Sequence, residues 1–143
     1  MKRAILLTLI LLFISAGCAV KEEVKLSEES VTARNAISAV DAIKDAFIKK
    51  DRAAIHENVE PGLSDEILNG LNFDSADLSF SVRMIKISAF KVMVHLNWHG
   101  TWMSGGSETG DRGVGVLVFN KDTMKLSQVD GDNPFHYPGS GTE

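Results

Sequence analysis

The stretch Phe90-Lys91-Val92-Met93-Val94-His95-Leu96-Asn97-Trp98-His99-Gly100-Thr101-Trp102 decides the fold. Phe90, Val92, Val94, Leu96, Trp98 and Trp102 are apolar. Lys91, Met93, His95, Asn97, His99 and Thr101 alternate with them. A period of two belongs to a β-strand with one buried face. The strand is longer than usual, and Gly100 offers a place to bend. Upstream, Phe80, Val82 and Met84 alternate with Ser79, Ser81 and Arg83, and then Ile85 and Ile87 take the apolar positions. A slip of one residue turns side chains to the other face, so a β-bulge is expected near Met84-Ile85. Ser88-Ala89 reads as a turn. Downstream, Ser104 to Asp111 reads as a Gly/Ser-rich loop. Val114, Val116 and Val118 begin a third strand, Asn120-Lys121-Asp122 is a turn, and Thr123 to Val129 is a fourth strand. Sequential strands on short connections predict an antiparallel sheet.

Before the sheet the period is helical. From Val31 to Lys50, the residues Ala33, Ala36, Ile37, Val40, Ile43 and Phe47 recur at three- and four-residue steps and share a stripe. Arg34, Ser38, Asp41, Asp45 and Lys49 take the opposite side. Asp51 is a good N-cap for a second helix through Ala53, Ala54, Ile55 and Val59, which Pro61-Gly62 is expected to end. Ser64-Asp65-Glu66 predicts a third helix carrying Leu63, Ile67, Leu68 and Leu71, closed by Asn69-Gly70. Helices segregated before an antiparallel sheet predict an α+β fold of about four strands.

The N-terminus has another character. Lys2 and Arg3 precede an apolar run, Ala4 to Ile14, broken only by Thr8. Eleven helical residues span about 16 Å, roughly half a hydrocarbon core, so the run is too short to cross comfortably. A charged start, an apolar middle and small residues at the end predict a secretory signal peptide over 1–17. Cys18, the single cysteine of the chain, sits at the expected cut. Ser15-Ala16-Gly17-Cys18 resembles the bacterial lipobox, with Ser15 where that motif usually has Leu. The resemblance implies a diacylglycerol on the Cys18 sulfur, cleavage before it, and anchoring in the cell envelope. Ala19 after the cysteine then implies the periplasmic side of an outer membrane in a Gram-negative cell. Ordinary secretion is the alternative, because Ser15-x-Gly17 also fits a small-x-small cleavage rule. Residues 18–30 read as the lipidated Cys and a charged tether. An early helical turn capped by Ser27 is the other reading. The domain is expected over 31–137, with 138–143 a flexible tail.

The chain of 143 residues is 44% hydrophobic and 24% charged, which excludes disorder and a multi-span membrane protein and suits one core. Without residues 1–17, 13 Lys and Arg face 19 Asp and Glu, a net charge of −6. That balance argues against nucleic acid as a partner. One cysteine forms no intramolecular disulfide and no CxxC site.

The order of long helix, Asp-started helix, third helix and bent antiparallel sheet resembles the nuclear transport factor 2-like superfamily. In those proteins a curved sheet wraps the long helix as a cone. Phe47-Ile48-Lys49-Lys50-Asp51-Arg52-Ala53-Ala54-Ile55 resembles the junction after the family's first helix. Val129-Asp130-Gly131-Asp132-Asn133-Pro134-Phe135 is similar to the tail of small bacterial lipoproteins of this type. The resemblance spans about 31–137, and a cystatin-like arrangement is a further possibility. It implies isomerases, hydrolase-like enzymes or pure binding modules, and pairing through the sheets, so fold alone does not fix function.

No motif of catalysis or phosphate binding is present: no GxSxG, no HExxH, and no glycine loop opening a helix. Gly113 and Gly115 are expected to serve bending or close packing. His95, Asn97 and His99 share one strand face with Met93. His95 and His99 lie about 13 Å apart on an extended chain, too far to share a zinc ion, so no metal is expected from that pair. This face is expected to be half-exposed, and Met93, His95, Asn97 and His99 are the candidate self-association surface. Phe80, Trp98 and Trp102 are candidates to line a ligand pocket in the cone, or simply to form core. Asp130, in step with Met124, Leu126 and Gln128, would be a general base if that face is concave, and an ordinary turn residue otherwise. His56 is expected at the surface, with Phe135 and Tyr137 anchoring the tail. The functional expectation is a lipid-anchored envelope protein that binds a small apolar ligand or a partner protein, without catalysis or cofactor. A small isomerase- or hydrolase-like enzyme using Asp130 and a structural homodimer are the alternatives.

Overall fold

A computed structural model describes residues 27–140. The signal-peptide and lipobox readings, Cys18, most of the tether, and residues 141–143 lie outside the described residues. The first helix, α1 (Glu28–Lys49), starts three residues before Val31. Ser27 caps it, its Oγ accepting from the Ser30 N–H at 3.2 Å, and Glu28 and Glu29 favour its positive end. Its buried stripe is Thr32, Ala36, Val40, Ile43, Ala46 and Phe47. Ile37, placed on that stripe by the sequence, is 42% exposed. The 32–36–40–43–47 row passes one position to its side.

α1 ends at Lys50, which takes the left-handed conformation with φ 54°. The Lys50 ammonium donates to the Phe73 carbonyl and lies 4.8 Å from the centre of the Phe73 ring. Asp51 then caps α2 (Arg52–Asn58), accepting from the Ala54 N–H at 3.0 Å. Asp51→Ala should cost about 1 kcal/mol, read as a lower urea midpoint with an unchanged slope. The third helix, α3 (Pro61–Asn69), begins earlier than Ser64-Asp65-Glu66 suggests. Pro61 opens this helix; Glu60 and the break at Val59 separate it from α2. Proline suits a first helical position because its missing N–H would be unpaired there anyway.

The sheet has the order β1-β2-β3-β4, all antiparallel, with strands β1 (Ser75–Ile87), β2 (Lys91–Ser104), β3 (Ser107–Asn120) and β4 (Leu126–Gly131). Phe90 falls in the β1–β2 turn and is 79% exposed, so it leaves the inward set. Val92, Val94, Leu96, Trp98 and Trp102 are buried as expected. The bulge lies between Val82 and Met84, at Arg83. Ser104–Asp111 is not a loop. Gly105 and Gly106, at φ +57° and +80°, make a two-residue turn between β2 and β3. Asn120 Oδ1 accepts from the N–H groups of Asp122 and Thr123, forming the β3–β4 turn. Met124 leaves that turn at φ 55°, so β4 starts at Leu126 rather than Thr123.

One core joins α1 to the inner sheet face, with Ala36, Val40, Ile43 and Phe47 in the same cluster as Val92, Val94, Leu96, Trp98, Trp102, Leu117 and Phe119. The described residues are therefore three α-helices packed on a curved four-stranded antiparallel sheet, the α+β architecture expected.

Candidate functional site

Three places come forward from the sequence: the cone interior, the Asp130 carboxylate, and the outer sheet face. Large aromatic side chains occupy the interior. Trp102 is fully buried, and its ring stands edge-on to Trp98 at 6.3 Å and 85°. Gly100 makes room for it: a Cβ there would meet the Trp102 ring at 2.3 Å and a Leu78 methyl at 2.6 Å. Close packing, rather than bending, is the reason for this glycine. From the other end Phe135 enters, 1% exposed, with its ring 5.6 Å from Phe47 and 6.0 Å from Phe80. Phe73 lies 5.2 Å from Phe47 and 6.4 Å from Tyr137. Phe135 and Tyr137 thus anchor the tail as expected.

The tail is clamped beside Phe135. The Trp98 indole N–H donates to the Asp132 carbonyl at 2.9 Å. Asp132 Oδ2 accepts from the Val114 N–H at 3.0 Å, and the Asp132 N–H donates to the Val114 carbonyl at 3.0 Å. The tail crosses directly over Gly113, where a Cβ would come within 2.4 Å of the Asp132 side chain. The expected ligand pocket is corrected accordingly. Trp102 is core. Phe80 and Trp98 border an open cleft of about 300 Å³, which they share with Ser79, Ser81, Asn97 and His99. A neighbouring cleft of about 350 Å³ at the mouth has Trp98, Glu66, Asp111, Arg112, Asp132, Asn133 and His136 along it. Asp132→Ala removes one clamp point and is expected to lower stability by about 1–2 kcal/mol, checked by thermal unfolding.

Asp130 is not in the cone. The β3–β4 register shifts between Val118 and Phe119, so Leu126 pairs with Phe119 on the inner face while Gln128 pairs with Val118 and Asp130 with Val116 on the outer one. Ser127 takes up the extra residue, its hydroxyl donating to the Val118 carbonyl at 3.0 Å. Asp130 is exposed and accepts from Gln128 Nε2 at 2.6 Å. The condition for a concave general base fails, since no apolar wall surrounds the carboxylate.

The outer face is built by register. Lys86 pairs with Met93, and Met93 with Val118. Met84 pairs with His95, and His95 with Val116. Ser81 pairs with Asn97, and Asn97 with Val114. His99 pairs with Ser79 and Arg112. Met93, His95, Asn97 and His99 therefore share this face. The sequence did not add Met84, Val114, Val116 and Val118 to it as a patch, because that needs pairing between strands. Met84 is 45% and Val114 62% exposed, whereas Val118 is 3% exposed. His95 Nε2 is buried and has no hydrogen-bond partner among the described residues.

One pair went unforeseen. His56 Nδ1 lies 3.1 Å from Ser64 Oγ, whose own proton goes to the Pro61 carbonyl at 2.9 Å. Ser64 is fully buried. Its hydroxyl therefore accepts from an Nδ1–H, and the pair ties α2 to α3 instead of forming a nucleophile and base. Among the described residues no helix is long and apolar enough to cross a membrane.

No protein-family model matches the chain. No curated protein matches it either. Among solved structures it is similar to a nuclear transport factor 2-like superfamily protein from Salmonella enterica serovar Typhimurium, with a TM-score of 0.62 at 13% identity, covering 80% of this chain and 99% of that one. A nuclear transport factor 2-like protein of unknown function from Shewanella oneidensis overlaps less well, with a TM-score of 0.47 at 16% identity over 66% of this chain and 92% of that one. With the helix order, the strand order and α1 packed on the inner sheet face, the Salmonella likeness identifies the fold alone: a nuclear transport factor 2-like α+β fold.

Proposed function

We propose that this is a lipid-anchored cell-envelope protein, held through acylated Cys18, whose domain binds a partner protein through the outer sheet face and catalyses no reaction. A second copy of the chain is the first candidate partner. The observation that carries this reading is the contrast between the two faces of the sheet. Inside, Phe47, Trp102, Phe119 and Phe135 are all buried to 1% exposure or less, in the space where a small apolar ligand would sit. Outside, Met84 and Val114 are exposed and Met93 and Val116 half-buried, side by side on paired strands. Apolar side chains collected on one open face mark interaction surfaces. Basic Lys86 lies on β1 and acidic Asp130 on β4, so a two-fold axis along the strands would bring each edge of one copy over the opposite edge of the other.

Light scattering over a concentration series tests this on the Cys18→Ser chain in mild detergent. The expected result is a concentration-dependent two-chain species. Val114→Arg, a change at an exposed side chain that should move stability by no more than about 0.5 kcal/mol, should shift the population to single chains, with an unfolding midpoint equal to the parent's at concentrations where both are single chains. A strict monomer at every concentration removes the second copy as partner.

A further inference from the structure

The register of β1 and β2 assembles a set of soft metal ligands that no spacing in the sequence displays. His95 stands directly across from Met84, and Met93 lies two residues earlier on the same face. Side chains opposite one another on antiparallel strands have Cβ atoms about 4.5–5.5 Å apart, and diagonal neighbours about 7–8 Å. Met84 and Met93 each have three rotatable bonds with which to close those gaps. Val116 and Val118 complete the wall on β3, opposite His95 and Met93. No carboxylate pairs with any of the three; Asp130 lies beyond Val116, two strands from His95. His95 Nε2 is a buried nitrogen without a hydrogen-bond partner among the described residues. A buried polar atom left unpaired calls for an explanation, and a neutral imidazole protonated at Nδ1 would present a free lone pair there. Among the described residues no group of three or more His, Cys, Asp and Glu is placed to hold a metal, so a hard or borderline cation has no site of that kind.

The geometry points to a binding site for a soft monovalent cation, Cu(I) or its analogue Ag(I), formed by Met84 Sδ, Met93 Sδ and His95 Nε2. Thioethers select soft ions and imidazole suits copper. Lys86 stands across from Met93, and its like charge weighs less against a singly than against a doubly charged ion. The inference does not depend on a second copy covering the face, since all three ligands come from one chain.

Silver(I) is the probe, because it does not change oxidation state during a titration. The protein is the full-length Cys18→Ser chain, which has no thiol to compete. Its methionine methyl groups are followed by carbon–proton NMR. One equivalent of Ag(I) should move the Met84 and Met93 methyls and the His95 ring, and leave Met103 and Met124 in place. His95→Ala should weaken Ag(I) binding by about 100-fold or more, given that changing even the groups behind metal ligands costs about 10–100-fold. Unmoved Met103 and Met124 signals certify that the variant is folded. If His95→Ala does not fold, the double variant Met84→Leu/Met93→Leu takes its place with the same expected loss, read from the His95 ring. The proposal is overturned if no methyl moves, if all methyls move alike, or if the folded variant binds as the parent does. The same samples examined by light scattering keep this outcome separate from that of the pairing reading: a monomer that binds one Ag(I) per chain upholds the site and removes only the second copy.

Discussion

Trp102→Ala is expected to remove about 3–5 kcal/mol of stability, the range for truncating a fully buried large aromatic side chain. A domain of this size is stable by only about 5–15 kcal/mol in all. The loss is therefore at least about a fifth of the domain's whole stability. The cause is local and specific. The Trp102 ring occupies the space left by Gly100, packs on Leu78, and meets Trp98 edge-on. Alanine would leave a cavity bounded by those groups, and β2 cannot collapse into it while held by β1 on one side and β3 on the other. Gly100→Val attacks the same contact from below, by forcing the ring out, and should be at least as damaging. Urea unfolding followed by far-ultraviolet circular dichroism measures both. Midpoints within about 1 kcal/mol of the parent would mean that the ring is not packed where it is described.

Cys18→Ser carries the largest expected change in cells. The wild-type protein should carry acyl groups and fractionate with membranes, because two or three chains hold a protein stably where one does not. The serine variant has no thioether to form. Its intact mass should lack the acyl increment, and it should leave the membrane fraction. A wild-type protein already soluble and unacylated would refute the lipobox reading, leaving ordinary secretion as the account of residues 1–17. The Trp102 and Cys18 predictions are independent, since one concerns packing inside the domain and the other a residue ahead of it.

The parts of the fold legible in the sequence are those where burial imposes a period. Val92 to Trp102 alternate because every second side chain meets α1 or the residues packed around it. Asp51 is recognisable because a capping carboxylate has one position relative to its helix. The distal half of the β2–β3 hairpin was illegible for the converse reason. From Ser107 to Arg112 most side chains are exposed, so nothing selects an apolar alternation, and the stretch reads as loop. Pro61 reads in sequence as a stop and is a start, since proline serves both purposes and only the neighbouring backbone decides.

The candidate sites show the same division. Asp130 follows Leu126 at even spacing, which suggests a shared face. The extra residue at Ser127 reverses it, and a bulge of that kind leaves little trace in composition. His95 and His99 are conspicuous as a pair in sequence, yet they stand on separate rows of the sheet, across from Met84 and Ser79 respectively. The residue facing His95 becomes apparent only once the Arg83 bulge has set the register between β1 and β2. Phe135, at the far end of the chain from Phe47, completes the core through an aromatic contact that local pattern does not encode.

Native mass spectrometry of the protein purified from its cells, released gently from detergent, tests most directly whether the domain acts by its surface instead of its interior. The account predicts the acylated chain and its two-chain assembly, each without an organic molecule retained inside. One small apolar molecule held per chain, and lost when Trp102 or Phe135 is replaced, would contradict it.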